Sequence, residues 1–217
     1  QKVRILSAAR VTVVSSSTVE VFGRPEQEST AGWDLVRSDD VRDRYHELLI
    51  QTPMTEPPEE VVSLAREAVG DLPPHEAAHA VCDALIAPLT YEGGVTSVRT
   101  PAAEVWASGK GVCQDFAHLT LGALRSIGLP ARYVSGYLHP RPDAPVGEMV
   151  EAESHAWVEW WAGDWFAYDP THAGPVHHDH VLVATGRDYT DVPPLKGVYA
   201  GAGGSELFVS VQVTRLQ

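Results

Sequence analysis

At Gly128-Leu129-Pro130 the hydrophobic pattern of this chain changes period, and that change restricts the folds open to it. Before it, Phe116, Leu119, Thr120, Ala123, Leu124 and Ile127 recur at three- and four-residue steps, which marks an amphipathic helix. After it, segments 131–138, 154–161, 165–170, 181–184 and 206–215 read as strands. In the last of these, Leu207, Val209, Val211 and Val213 alternate with Ser210, Gln212 and Thr214. Upstream of the switch the punctuation is helical. Ser38-Asp39-Asp40 caps a helix running to about Ile50, and Pro57-Pro58-Glu59 starts a second. Pro73-Pro74 starts a third through Ile86, and Thr100-Pro101 opens a short fourth that Gly109 closes. Helices first and antiparallel strands afterwards give an α+β class, with helices packed on an antiparallel sheet.

The 217 residues suffice for one substantial domain, or for a core plus a small appendage. Residues 3–22 alternate weakly on either side of Ser15-Ser16-Ser17 and read as one or two strands, followed by a polar loop over 23–34. The division expected is an N-terminal β segment over 1–30 and a single domain over 31–217. The formal net charge of −13 argues against nucleic acid or an anionic membrane surface as partner, because phosphate binding needs clustered Lys and Arg. No run approaches the roughly 18 apolar residues of a membrane span. With only Cys82 and Cys113 there is no disulfide framework. That fits a reducing compartment, hence a cytoplasmic location, or a single reactive thiol. Cys82 falls among Ala78, Val81 and Leu85 and reads as core.

Cys113 stands where the long helix begins. Unpaired backbone N–H groups and the positive end of the helix dipole favour a thiolate there. His155 and Asp169 follow on adjacent strands, completing the parts of a thiol acyl-transfer site: nucleophile Cys113, base His155, orienter Asp169. The other reading is an inert buried cysteine, a surface His and a turn Asp before Pro170. The hairpin between the strands tests the grouping. A three-residue loop Ala162-Gly163-Asp164 pairs Trp161 with Trp165 and hence Trp157 with Asp169. Asp169 is then the diagonal same-face neighbour of His155. A two-residue loop would put them on opposite faces.

The backbone N–H of Cys113 is the first candidate oxyanion donor. Tyr91 is the second, although its ring could equally belong to the core. Gln114, Asp115 and His118 read as supports around the thiol, with capping and solvation as the alternative. Trp157, Trp160, Trp161 and Trp165 crowd the hairpin; some cover core, and Trp157 is the candidate wall of a substrate cleft. His172, His177, His178, Asp179 and His180 form a dense cluster that matches no closed zinc spacing, so a solvent-facing loop is expected. No metal and no cofactor is expected.

The segments GVCQDFAH (111–118), GLPARYVSGYLHP (128–140), SHAWVEWW (154–161), YDPTH (168–172) and GRDYTDVPPLKGVY (186–199) resemble, in this order, bacterial members of the transglutaminase-like superfamily. The resemblance covers roughly residues 30 to 215. It implies a papain-like core with the nucleophilic cysteine at a helix N-terminus and an acyl-thioester intermediate. It also implies that the tail carrying Arg187 and Tyr189 packs near the active site and shapes the cleft. Members often carry a β-rich region before the catalytic part, so residues 1–30 read as its remnant. The expected function is a thiol-dependent amide hydrolase or acyl transferase working through a Cys113 thioester on a peptide, protein or small amide. A peptidase- or amidase-like outcome is favoured, since nothing signals a tunnel for an amine. The alternatives are a protein-glutamine transamidase, a catalytically silent binding domain, and a metal-dependent hydrolase using the histidine cluster.

Overall fold

The computed structural model describes residues 12–22, 28–141, 143–193 and 209–216. Two helices start at their proline pairs, α4 (Glu59–Val69) after Pro58 and α5 (Pro74–Ile86) after Pro73. Proline suits a helix start, where its missing N–H leaves no bond unmade. The single helix expected over 38–50 is instead broken. It forms α2 (Asp39–Arg44) and α3 (His46–Leu49), preceded by a turn of helix, α1 (Trp33–Val36), that begins at the end of the expected polar loop. The break is at Tyr45, whose ring packs on Trp161 and Trp165, each 5.3 Å away between centroids. A long-range aromatic contact has outweighed local helix propensity.

The helix α6 (Ala102–Ser108) ends at Gly109, with φ of 67°. Just beyond it, β2 (Lys110–Gly111) pairs in parallel with β1 (Thr90–Tyr91), a pairing that local pattern does not announce. Then comes α7 (Cys113–Ser126). Its start is fixed by Asp115, whose carboxylate accepts the Val112 N–H at 2.9 Å, and its end by Gly128, with φ of 87°. The sequence reads α7 as amphipathic, yet Gln114 through Arg125 are all buried. The helix runs through the middle of the domain, with α4, α5 and α6 on one side and the sheet on the other. Gly122 allows one of these contacts: a Cβ there would lie 2.0 Å from the Thr55 carbonyl oxygen.

The main sheet is antiparallel throughout. Its strands are β3 (Ala131–Leu138), β4 (Met149–Trp161), β5 (Trp165–Asp169), β6 (Gly174–Pro175) and β7 (His180–Gly186), in the order β6-β5-β4-β3-β7. A further strand, β8 (Val211–Thr214), pairs with the leading residues of β4, Met149–Ala152, which extend that strand ahead of the expected 154. Ala156, Val158 and Trp160 join Tyr133, Phe166 and Tyr168 in the core beneath the helices. His155, Trp157 and Glu159 therefore project from the other face. The hairpin turns through Ala162-Gly163-Asp164 with Gly163 at φ of 89°, and Trp161 pairs with Trp165. This is the register that the three-residue loop requires.

Residues 12–22 form no strand. They run exposed, with Val14 and Phe22 open to solvent, because no sheet edge takes their backbone groups and no face buries their side chains. The remainder of the expected N-terminal strands, the PLKGVY end of the tail motif and residues 206–208 of the last strand lie outside the described residues.

Candidate active site

The first turn of α7 meets β4 at Ala156, the residue after His155. The Cys113 thiol lies against two backbone N–H groups, those of Ala156 and of Gln114, which favour the anion. Burial works the other way and dominates, and the nearby Asp169 and Asp115 add to it, so the thiol is pushed up to about 11. The N–H groups act in the expected direction, but desolvation of the charge exceeds what two N–H dipoles return. A proton acceptor is needed.

His155 is buried, with Nε2 2.7 Å from Asp169 Oδ2. That contact leaves Nδ1 as the ring nitrogen open to a second partner. Asp169 is held at both oxygens. Oδ1 accepts the Thr171 N–H at 2.9 Å in the Asp-Pro-Thr turn, and Oδ2 meets three imidazoles. These are His155 Nε2 and His172 Nδ1, both at 2.7 Å, and His180 Nε2 at 3.1 Å. Burial opposes the Asp169 charge, but the bonds from His155, His180 and His172 override it and hold the carboxyl well below the usual carboxylate range. His180 also faces Asp179, with Nδ1 to Oδ1 at 2.8 Å. Burial disfavours its charge, yet the two carboxylates win and raise its pKa.

The histidine cluster is therefore not one solvent-facing loop. His177 and His178 are exposed, but His172 and His180 fold onto Asp169. The cause is the pairing of β7 with β3, Leu138 opposite His180, which swings the chain back across the end of β5. Local spacing carries no sign of a pairing between strands so far apart in sequence.

β1 sets Tyr91 opposite Gly111, two residues before Cys113, and its phenol has its pKa raised, first by burial and then by Cys113, Glu153 and Asp115. The residue is 53% exposed, so it does not belong to the core. Glu153 was missed by the sequence reading. It precedes His155 by two positions on β4 and shares its face, so strand alternation could have found it.

Asp115 is a cap and a tether: Oδ2 takes the Val112 N–H and, at 2.6 Å, the Thr96 hydroxyl. Gln114 reaches the Ser97 carbonyl at 3.5 Å. His118 accepts the Tyr189 N–H at Nε2, at 3.1 Å, and its ring lies against Tyr133. These residues brace α7 and the loops on it. The residues read as cleft lining are also otherwise engaged. Arg187 pairs with Asp191 at 2.8 Å, while its carbonyl accepts from Arg125 at 2.6 Å. Together with Tyr189 it fastens the tail to α7. Trp157 is 1% exposed and backs the His155 ring, 6.2 Å away between centroids. Gly136 makes room for it, since a Cβ there would meet the indole at 2.5 Å.

Burial drives the His118 pKa down to about 4, Arg125 adding to the effect and Asp188 opposing it. The folded pKa lies below the unfolded value of about 6.5, so the unfolded chain takes up the proton first as pH falls. Stability from this group is present above about pH 6.5 and drains away toward pH 4. Urea unfolding at pH 7 and pH 4.5 should show that loss in the wild type and a smaller one in His118→Gln; equal losses would remove His118 as the cause.

Residues 62–170, the span that contains Cys113, His155 and Asp169, match the profile of the Transglutaminase-like superfamily. An uncharacterized protein of Mycobacterium leprae is 43% identical over 206 residues, which is 95% of this chain and 74% of the relative. A protein-glutamine gamma-glutamyltransferase of Pseudomonas aeruginosa is 31% identical over 111 residues, 44% of this chain and 16% of the relative. Among solved structures, a candidate cysteine protease from Cytophaga hutchinsonii shares the fold with a TM-score of 0.62 at 23% identity. That match covers 86% of this chain and 56% of the other, so the chain spans little more than half of that structure. The profile match takes in half of the chain and the three residues of the site, and the chain belongs to the transglutaminase-like superfamily.

Proposed function

We propose that this protein is a thiol acyl-transfer enzyme in which Cys113 attacks an amide carbonyl. The observation that carries the reading is the bonded His155–Asp169 pair set beside a thiol that burial keeps protonated. His155 Nδ1 takes the thiol proton as sulfur attacks, and Asp169 stabilises the imidazolium that forms. The oxyanion draws on the Cys113 N–H, which has no acceptor within its own helix, and on the Tyr91 hydroxyl. The imidazolium then protonates the leaving amine, and a thioester remains on Cys113. Water entering by the open side at Tyr91 would complete an amidase- or peptidase-like cycle.

A second reading is transfer of the acyl group to an amine. The relative from Pseudomonas aeruginosa favours it, as does Glu153 on the face of His155, where a carboxylate would attract a cationic acceptor. Intact-mass detection of the acyl-enzyme across a panel of glutaminyl and peptide amides tests the chemistry. Product analysis with and without a primary amine separates the two outcomes. No mass adduct on any amide, with the adduct also absent in a slow Asp169→Asn variant, would count against both.

Brief iodoacetamide treatment followed by peptide mapping should label Cys113 and spare Cys82. Cys82 is fully buried in the α5 core, and burial pushes its thiol far up. Faster labelling of Cys82 would refute the assignment of the nucleophile.

A further inference from the structure

A base and its orienting carboxylate need one imidazole; here three converge on one oxygen. We propose that His155, Asp169 and His180, joined by His172, form a site for a divalent transition-metal ion such as zinc, and that the bound ion switches the thiol off. The regulatory half of this proposal rests on the reading of His155 as the base. The binding half rests on geometry alone.

The ligand atoms of His155, Asp169 and His180 lie within 4.8 Å of one another, the one such convergence among the described residues. His172 Nδ1 adds a fourth donor, 2.7 Å from Asp169 Oδ2. Zinc bonds of about 2.0–2.1 Å in a tetrahedron put neighbouring ligand atoms roughly 3.3 Å apart, so shifts of about 1 Å bring His155, Asp169 and His180 into place. The donor set of imidazole nitrogens with one carboxylate suits zinc, copper or nickel, and not calcium or magnesium, which require oxygen shells.

The outer support fits the same purpose. His180 is held through Nδ1 by Asp179, which leaves Nε2 for the ion in the carboxylate–histidine–metal arrangement. Asp169 is held through Oδ1 by the Thr171 N–H, which leaves Oδ2. Their side chains are 5% and 1% exposed, so both ligands are fixed. The His172 side chain is 58% exposed and provides a way in and an exchangeable ligand.

The switch follows from the two nitrogens of one ring. Metal on His155 Nε2 moves the ring's proton to Nδ1, the nitrogen that would serve the thiol. A nitrogen that already carries a proton cannot accept another, so metal binding and deprotonation of Cys113 exclude each other. On binding, His180 gives up its Nε2 proton to solvent, His172 moves its proton from Nδ1 to Nε2, and Asp169 exchanges hydrogen bonds for a metal bond.

The test is zinc titration of the metal-free protein against a chromophoric chelator, with melting followed in parallel. One zinc ion should bind per chain and raise the melting temperature. Cys113→Ala should bind as the wild type does. His180→Gln and Asp169→Asn should weaken binding by about 10- to 100-fold or more. The double variant His177→Ala/His178→Ala should be unaffected. Zinc should also slow iodoacetamide labelling of wild-type Cys113, and EDTA should restore the rate. Loss of binding in Cys113→Ala would make it a thiol adduct, and loss in the double variant would place the ion on the exposed loop; either overturns the proposal. So does full binding by a His180→Gln protein that melts cooperatively in zinc-free buffer. Absence of binding to the wild type removes the site and leaves acyl-enzyme trapping untouched. Conversely, zinc binding as described in a chain that forms no acyl-enzyme in zinc-free buffer would leave the site standing and remove the catalytic reading.

Discussion

His155→Ala should lower kcat/KM by about 10⁴-fold, measured on any amide that forms the acyl-enzyme. The size follows from the state of the thiol. Burial pushes Cys113 up to about 11, so little thiolate exists at neutral pH without a proton acceptor. The same imidazole later protonates the leaving amine, so one substitution removes two proton transfers. Asp169→Asn should be milder by about ten- to a hundredfold, since an amide can still hold the ring but cannot offset the charge of the imidazolium. It should still cost more than the loss of one hydrogen bond, because His172 and His180 lean on the same oxygen. A His155→Ala enzyme within tenfold of wild type would remove His155 from the mechanism.

Arg125→Leu should destabilise the fold by about 3–5 kcal/mol, lowering the melting temperature by about 10 °C. The guanidinium is buried near the end of α7 and donates to four acceptors. These are the carbonyls of Ile50, Ala131 and Arg187 and the hydroxyl of Thr55. They come from the loop after α3, the start of β3 and the tail. Burial lowers its pKa only to about 10, so it stays charged at neutral pH. Leucine fills much of the volume but leaves those acceptors without donors away from water, and an unmet buried carbonyl costs more than the bond itself contributes. Lysine should rescue little, because a single ammonium cannot span a planar set of partners. Urea and thermal unfolding check this; a loss under about 1 kcal/mol would mean that water replaces the guanidinium. Because the Arg187 carbonyl is among the acceptors, the 3₁₀ turn Tyr189–Asp191 should loosen first, visible as faster amide exchange there.

Asp115 and His118, which the sequence reads as supports around the thiol or as capping residues, are given their partners by the fold. Both sit within a turn or two of Cys113, and adjacency along a helix does not decide direction. Asp115 turns back to cap its own helix, and His118 faces away to receive the tail. Tyr91, distant in sequence, comes beside the thiol because β1 pairs with β2 immediately before α7.

What the sequence determined by itself is what counting along the chain can determine. Asp115 three places after Val112 starts α7 at Cys113, and Gly128 with Pro130 stops it. The three residues between Trp161 and Trp165 set the hairpin register and so bring Asp169 to His155, because strand faces alternate with a period of two and loop length fixes which faces meet. The five ordered motifs carried the family. Tertiary structure alone decided the rest. The thiol is protonated because burial, which no local pattern records, outweighs the helix start. The helix expected over 38–50 breaks because Tyr45 packs on two tryptophans more than a hundred residues away in the chain. His180 reaches Asp169 because β7 pairs with β3, and that pairing depends on the free energy of the whole sheet and not on the residues around His180.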